Sequence, residues 1–261
     1  MSPPSLYTDD DPAEAEGAAV LQRLFARLDA AEARCEEFTV RPGSVLEGDD
    51  RATAYDPISY QVRFLFIAAF DHANTFRSTL VDHGMPTVGA YPLVRASLES
   101  AAQVLWLTTG GTRTKRVFRA LHRVWDGARL SDDALRHLNP EQPSSLPRLR
   151  QRLDELLAAA RAGQRSLDRS HPSMTDVVTD AGRHLQPRAF QPIDVWRLCS
   201  SMAHGNRTVS LAVLERRLHG EVTDTGATYL MTTSYRVMAV FVEVVVVVIE
   251  AALDAQDRLN A

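Results

Sequence analysis

The chain lacks most of the residue patterns that commit a protein to a familiar chemistry. Of its 261 residues two are cysteine, Cys35 and Cys199, far apart and outside any C-x-x-C arrangement. That argues against a disulfide scaffold and against a cysteine zinc site. Glu-x-x-His, the pattern of di-iron carboxylate bundles, is absent, and so is the His-Glu-x-x-His of zincins. Neither a phosphate-binding G-x-x-x-x-G-K-[ST] loop, a G-x-G-x-x-G turn nor a G-x-S-x-G nucleophile elbow occurs. No cofactor and no metal is therefore expected. Charge of one sign is scarce as well: 29 Lys and Arg face 33 Asp and Glu, a net charge of -4. This is no global signature of a nucleic-acid binder, although local patches can still bind. The opening MSPPSLYTDDDPAEAEG is acidic and without an apolar core. It does not read as a secretory signal, so the expected compartment is the cytoplasm.

What is present is helical periodicity. With 45% hydrophobic and 24% charged residues the chain can bury a substantial core. Residues 1–10 read as a loose tail, and Asp11-Pro12 as a helix start. Leu21, Leu24, Phe25, Leu28, Cys35 and Phe38 recur at helical spacing. Residues 41–54 read as a loop, because Pro42, Gly43, Gly48 and two aspartates interrupt them. Residues 58–83 and 88–108 are apolar on most faces, as central helices of a bundle are. Residues 113–128 are two-faced, with Val117, Phe118, Leu121, Val124 and Trp125 on one stripe and Lys115, Arg116, Arg119, His122 and Arg123 on another. The basic stripe reads either as a solvated face or as a phosphate-contact surface involving Arg116, Arg119 and Arg123. Further helices are expected over 146–162 and 173–185, while residues 208–229 allow strand or short helix.

The last segment, about 229–259, holds five consecutive valines at 244–248. Its length nearly admits a membrane span. Glu243 and Glu250, seven apart on one face, count against insertion, because carboxylates at membrane depth are costly. A buried bundle helix is the reading here. The expectation for the whole is all-α: a single helical domain over 11–261, with about seven or eight helices around a long buried C-terminal one.

The stretch richest in chemistry is Ile193 to Arg207, IDVWRLCSSMAHGNR. Arg197 and His204 are seven positions apart, close to two helical turns, with Ser200 between them. A permanent cation, a hydroxyl and an imidazole on one face could handle a phosphodiester. The plain alternative is that His204 and Gly205 end a helix. Arg95 and Glu99 form an i, i+4 pair on an apolar helix. They read either as a structural ion pair or as one wall of a polar pocket shared with His72 or His204.

Arg197-x6-His204 resembles the Arg-x(4–6)-His pattern of the HEPN superfamily of all-α proteins. Leu-Val-Arg-Ala-Ser-Leu-Glu (Leu93 to Glu99) followed by Cys-Ser-Ser-Met-Ala-His-Gly (Cys199 to Gly205) is similar to bacterial helical proteins grouped near that superfamily. The resemblance implies metal-independent RNA cleavage, often by a toxin or phage-defence effector. His204 would be the general base and Arg197 would stabilise the phosphate, with Asn206 and Arg207 as further phosphate contacts. It also implies a homodimer in which two motifs line one cleft. Active members often carry a polar residue directly after the arginine, where this chain has Leu198. The alternative is a non-catalytic helical protein that binds or regulates a partner protein, with a polar pocket or dimer seam around Arg95, Glu99 and His204.

Overall fold

The computed structural model describes residues 12–139, 141, 143–161, 166–168, 171–223 and 226–261. The expected tail over 1–10 and the cap at Asp11 lie outside them. Ten helices and one two-stranded antiparallel sheet are present among the described residues. The fold is thus mostly α-helical, with more helices than the periodicity indicated and with a small sheet.

Helix α1 (Pro12–Glu36) lies along α10 (Tyr235–Asn260). The two approach so closely at Gly17 that a Cβ there would stand 2.5 Å from the Arg236 backbone nitrogen. Glu14 closes the start of α10 by accepting from the Tyr235 N–H at 2.7 Å and from the Ser234 hydroxyl. The far end is tied by Asn260, which donates to the Thr39 carbonyl at 2.9 Å and accepts from the Arg41 N–H at 2.8 Å. Arginines of α1 meet carboxylates of α10, with Arg27–Glu250 at 2.7 Å and Arg34–Asp254 at 2.8 Å. This ladder gives Glu250 its role. Val244, Val245, Val246 and Val248 are all buried, so core packing holds these β-branched residues in a helix against their strand preference. No helix among the described residues is long and apolar enough to cross a membrane.

Helices α3 (Ile58–His83) and α4 (Ala90–Thr108) pack against each other, and α4 is buried on nearly all sides. Ser97 of α4 donates to the Ala69 carbonyl of α3 at 2.7 Å. The expected loop over 41–54 contains α2 (Val45–Ala52), started by the Ser44 side chain accepting from the Glu47 N–H. Its Gly48 and aspartates hid it. Asp49 is fully buried and meets Arg116 at 2.6 Å. Helix α5 (Arg113–Leu138) runs ten residues past the two-faced stretch and packs on α6 (Leu146–Ala159). Together they bury a second, smaller apolar cluster of Val117, Leu121, Leu149, Leu153, Leu156, Leu157 and Leu167.

Helix α7 (Met174–Gly182) opens on a capping box at Ser173 and Asp176, and α8 (Pro192–Ala203) follows. Residues 208–229, read as strand or helix, contain both. A short α9 (Arg207–Val213) leads into β1 (Glu215–Thr223), paired with β2 (Gly226–Thr232). Leu218 faces Tyr229 across the pair, and the register is irregular between His219 and Thr223, where Gly220 adopts φ 79°.

Candidate functional site

Helix α8 turns Val195, Cys199 and Met202 into the core, and this fixes which face looks outward. Arg197 and His204 are both exposed, while Ser200 and Ser201 are half-buried on its flank. The expected common face therefore exists and is a solvent face. Neither Arg197 nor the His204 ring makes an ion pair, side-chain hydrogen bond or ring contact among the described residues.

The chain turns directly after this face. Gly205 adopts φ 67°, its N–H donates to the Met202 carbonyl at 3.1 Å, and the Asn206 N–H donates to Ser201 at 2.9 Å. This pair of bonds is the Schellman stop, which favours glycine because of the left-handed residue. Asn206 then starts α9 by accepting from the Val209 N–H at 3.2 Å. The plain reading of His204-Gly205 as a helix end is correct for the backbone. Asn206 is engaged as a cap, and Arg207 is exposed in the first turn of α9.

Beneath the exposed face, α8 is clamped to α4. Arg95 and Glu99 form an ion pair at 2.9 Å, with side chains 25% and 22% exposed. Glu99 also accepts from the indole N–H of Trp196 at 2.6 Å. The Arg95 guanidinium lies over the Trp196 ring, 5.2 Å from its centroid. Trp196 is the residue sequence reasoning missed. It sits beside Arg197, and nothing in helical spacing distinguishes a clamping tryptophan from a core one. Below the clamp, burial pushes the Cys199 thiol up to about 12, against the opposing pull of Arg95. Burial likewise pushes Cys35 up to about 11. Neither thiol is a nucleophile at neutral pH. His72 is half-buried on α3 and is tied by no hydrogen bond or ion pair to Arg95, Glu99 or His204.

Apart from Lys115, which is exposed, the basic stripe of α5 is neither solvated nor free for phosphate. Arg116 and Arg119 are 5% and 8% exposed, and His122 is 3% exposed. Arg116 is held by Asp49. Arg119 donates to the Trp106 carbonyl, lies 4.6 Å from the centroid of the Trp106 ring and stands 3.8 Å from Asp180. Arg123 donates to Gln103 at 3.3 Å, and burial pushes its pKa down. These arginines anchor α5 to its neighbours. His122 stacks on His171, with centroids 5.3 Å apart and planes 4° from parallel. Burial pushes His171 below the usual imidazole range. No group of three or more His, Cys, Asp or Glu among the described residues is placed to hold a metal ion.

Exposed basic residues also follow one another in the chain through and after α8. Arg197, His204, Arg207 and Arg216 are all exposed along the segment that leads into β1. No protein-family model, curated protein or solved structure matches the chain.

Proposed function

We propose that the chain is an HEPN-like, metal-independent endoribonuclease acting through the exposed face of α8. The observation that carries this reading is that Arg197 and His204 share one solvent-facing stripe of a helix clamped by Trp196, Glu99 and Arg95. An open face suits a polymer better than an enclosed small molecule. Arg207 and Arg216, both exposed downstream of α8, add positive charge suited to a phosphate backbone.

In the reaction the neutral His204 ring takes the proton of a ribose 2′-hydroxyl. The freed oxygen attacks the adjacent phosphorus as the bond to the 5′-oxygen of the next nucleotide breaks. Arg197 stabilises the charge gathering on the non-bridging oxygens. The products are a 2′,3′-cyclic phosphate and a 5′-hydroxyl, the proton reaching the leaving oxygen through solvent. Ser200 lies on the flank of this face, where its hydroxyl orients the phosphate.

The test is incubation of wild type and His204→Ala with total RNA and labelled tRNA in the presence of EDTA. Cleavage by wild type alone, leaving the cyclic phosphate, supports the proposal. Equal cleavage by the variant, or none by either, overturns it. A second reading, a non-catalytic helical protein that binds a polyanionic or protein partner, draws on Leu198 following Arg197 and on the Schellman stop accounting for Gly205. It requires RNA retention without cleavage, or neither.

A further inference from the structure

The outward face of α3 is unusually apolar. Tyr60, Phe64 and Ile67 are 68%, 66% and 56% exposed. Their spacing of four and three, continued by exposed Asp71, puts them on one stripe. Ala69, whose carbonyl faces Ser97 of α4, lies on the opposite side of the helix. The stripe thus points straight out of the bundle. Single exposed apolar residues need no explanation, but a row of three large ones marks an interaction surface.

The charges along the stripe identify the partner. Arg63 and Asp71 are both exposed, and neither makes an ion pair among the described residues. They flank Phe64 and Ile67 with opposite signs, roughly 12 Å apart at 1.5 Å per residue, and Tyr60 lies one turn beyond Arg63. Such a face matches a copy of itself run in the opposite direction. Run parallel, it would set arginine against arginine and aspartate against aspartate. We propose that α3 binds α3 of a second copy, antiparallel, about a twofold axis at Ile67. Phe64 packs beside the second copy's Ile67, and Arg63 meets its Asp71 twice over, as an isologous contact demands.

The area fits. A large apolar side chain of this class about two-thirds exposed offers roughly 100–150 Å², so the three supply roughly 300–450 Å² per copy. A standard interface takes about 800 Å² per partner, with about 65% apolar in homodimers. The stripe supplies most of that apolar centre, and the flanking residues of α3 supply the rim.

The inference rests on α3 alone, and it has a consequence for α8. Ser97 of α4 faces α3 while Glu99 faces α8, and two helical positions differ by about 200°. The two partners therefore flank α4 on opposite sides. A dimer across α3 turns both Arg197/His204 faces outward, so they do not line one shared cleft.

Sedimentation velocity on the full chain between about 1 and 300 µM tests it, with each variant checked for an unchanged melting temperature. Wild type dimerises within that range, and Phe64→Glu stays monomeric. Arg63→Asp and Asp71→Arg each weaken the dimer at least tenfold, and the double swap restores it to within about threefold of wild type. A monomeric wild type, a dimer unmoved by Phe64→Glu, or a double swap no better than the singles overturns the inference. RNA cleavage is scored on the same samples. A dimer without cleavage sinks the ribonuclease reading and leaves this one standing, and cleavage by a wild type that is monomeric at every concentration does the reverse.

Discussion

Removing Arg116 should cost more than removing any other arginine whose contacts are described above, and the loss should depend on pH in a specific direction. Asp49 is fully buried, and its Oδ1 has no hydrogen-bond partner. Its Oδ2 accepts from Arg116 at 2.6 Å, and the other cation near it, Arg113, stands 3.7 Å away. Burial pushes the Asp49 carboxyl above its usual range even with Arg116 beside it. In Arg116→Met the carboxylate keeps its desolvation and loses its main partner. Breaking a buried pair by removing one member costs ~3–5 kcal/mol. The ceiling is set by protonation, because a buried carboxyl can neutralise itself. Holding a group of ordinary pKa 3.8 neutral at pH 7 costs about 4 kcal/mol, at about 1.4 kcal/mol per unit.

The sign follows from linkage. The folded variant keeps its proton to a higher pH than the unfolded chain does, so its stability declines as pH rises through the folded-state pKa. The penalty relative to wild type should shrink from about 4 kcal/mol at pH 7 to under about 2 kcal/mol at pH 5. Urea melts followed by circular dichroism at both pH values, wild type beside variant, measure it. Asp49→Asn should also cost several kcal/mol but lack this pH dependence, since Arg116 cannot shed its charge. The double variant Asp49→Leu/Arg116→Met should recover most of the loss, as buried pairs often tolerate apolar replacement. A penalty below about 1 kcal/mol, or one that stays level between pH 5 and pH 7, would refute the reasoning.

Three further outcomes can be checked on the same instrument. Gly17→Ala should destabilise by about 1–3 kcal/mol, because its Cβ would stand 2.5 Å from backbone that cannot rotate away; a melting curve superimposable on wild type would contradict the close approach. Trp196→Phe should cost about 1–2 kcal/mol through the lost bond to Glu99 and should raise amide exchange in α8; unchanged exchange there would show the clamp to be idle. His171, faced by His122, Arg123 and Asp126, is held below the usual imidazole range. The unfolded chain therefore takes its proton first as pH falls, and wild type should lose stability relative to His171→Phe on going from pH 7.5 to pH 5, whereas a parallel decline of both proteins would count against it.

Much of the architecture was legible because helical spacing survives in α1, α3, α4 and α10. The valine run was the sternest case, and the reading of it as a bundle helix is met by the burial of Val244, Val245, Val246 and Val248. What was not legible came from tertiary pairing. Asp49 looked like a loop residue because glycine and acidic neighbours dominate its surroundings, yet burial against Arg116 makes α2 a helix with a purpose. The basic stripe of α5 has the periodicity of a solvated face, and periodicity carries no information on whether a carboxylate or carbonyl waits opposite each arginine. Arg95–Glu99 is the ion pair that its spacing allows. Both of its side chains stay about a quarter exposed, and the deeply buried pair is Asp49 and Arg116, sixty-seven positions apart, which no local spacing marks. At 193–207 the two readings are compatible, since one histidine can cap a helix and still face solvent beside Arg197.

Helix α4 brings these observations together. Among its polar positions, Arg95 and Glu99 face α8 and Ser97 faces α3. A helix with two such attachments fixes the orientation of the helices on either side of it, because neither can roll without breaking a buried or half-buried polar contact. The outward stripes of α3 and α8 are thereby held about half a turn of α4 apart. One carries aromatic bulk between opposite charges, and the other carries arginine and imidazole. A surface suited to a copy of itself and a surface suited to a polyanion are thus kept from competing for the same ground. If the α3 dimer forms, each α8 face must handle its ligand with the residues of its own chain, so Arg197, Ser200, His204 and Arg207 have to suffice for whatever chemistry that face performs.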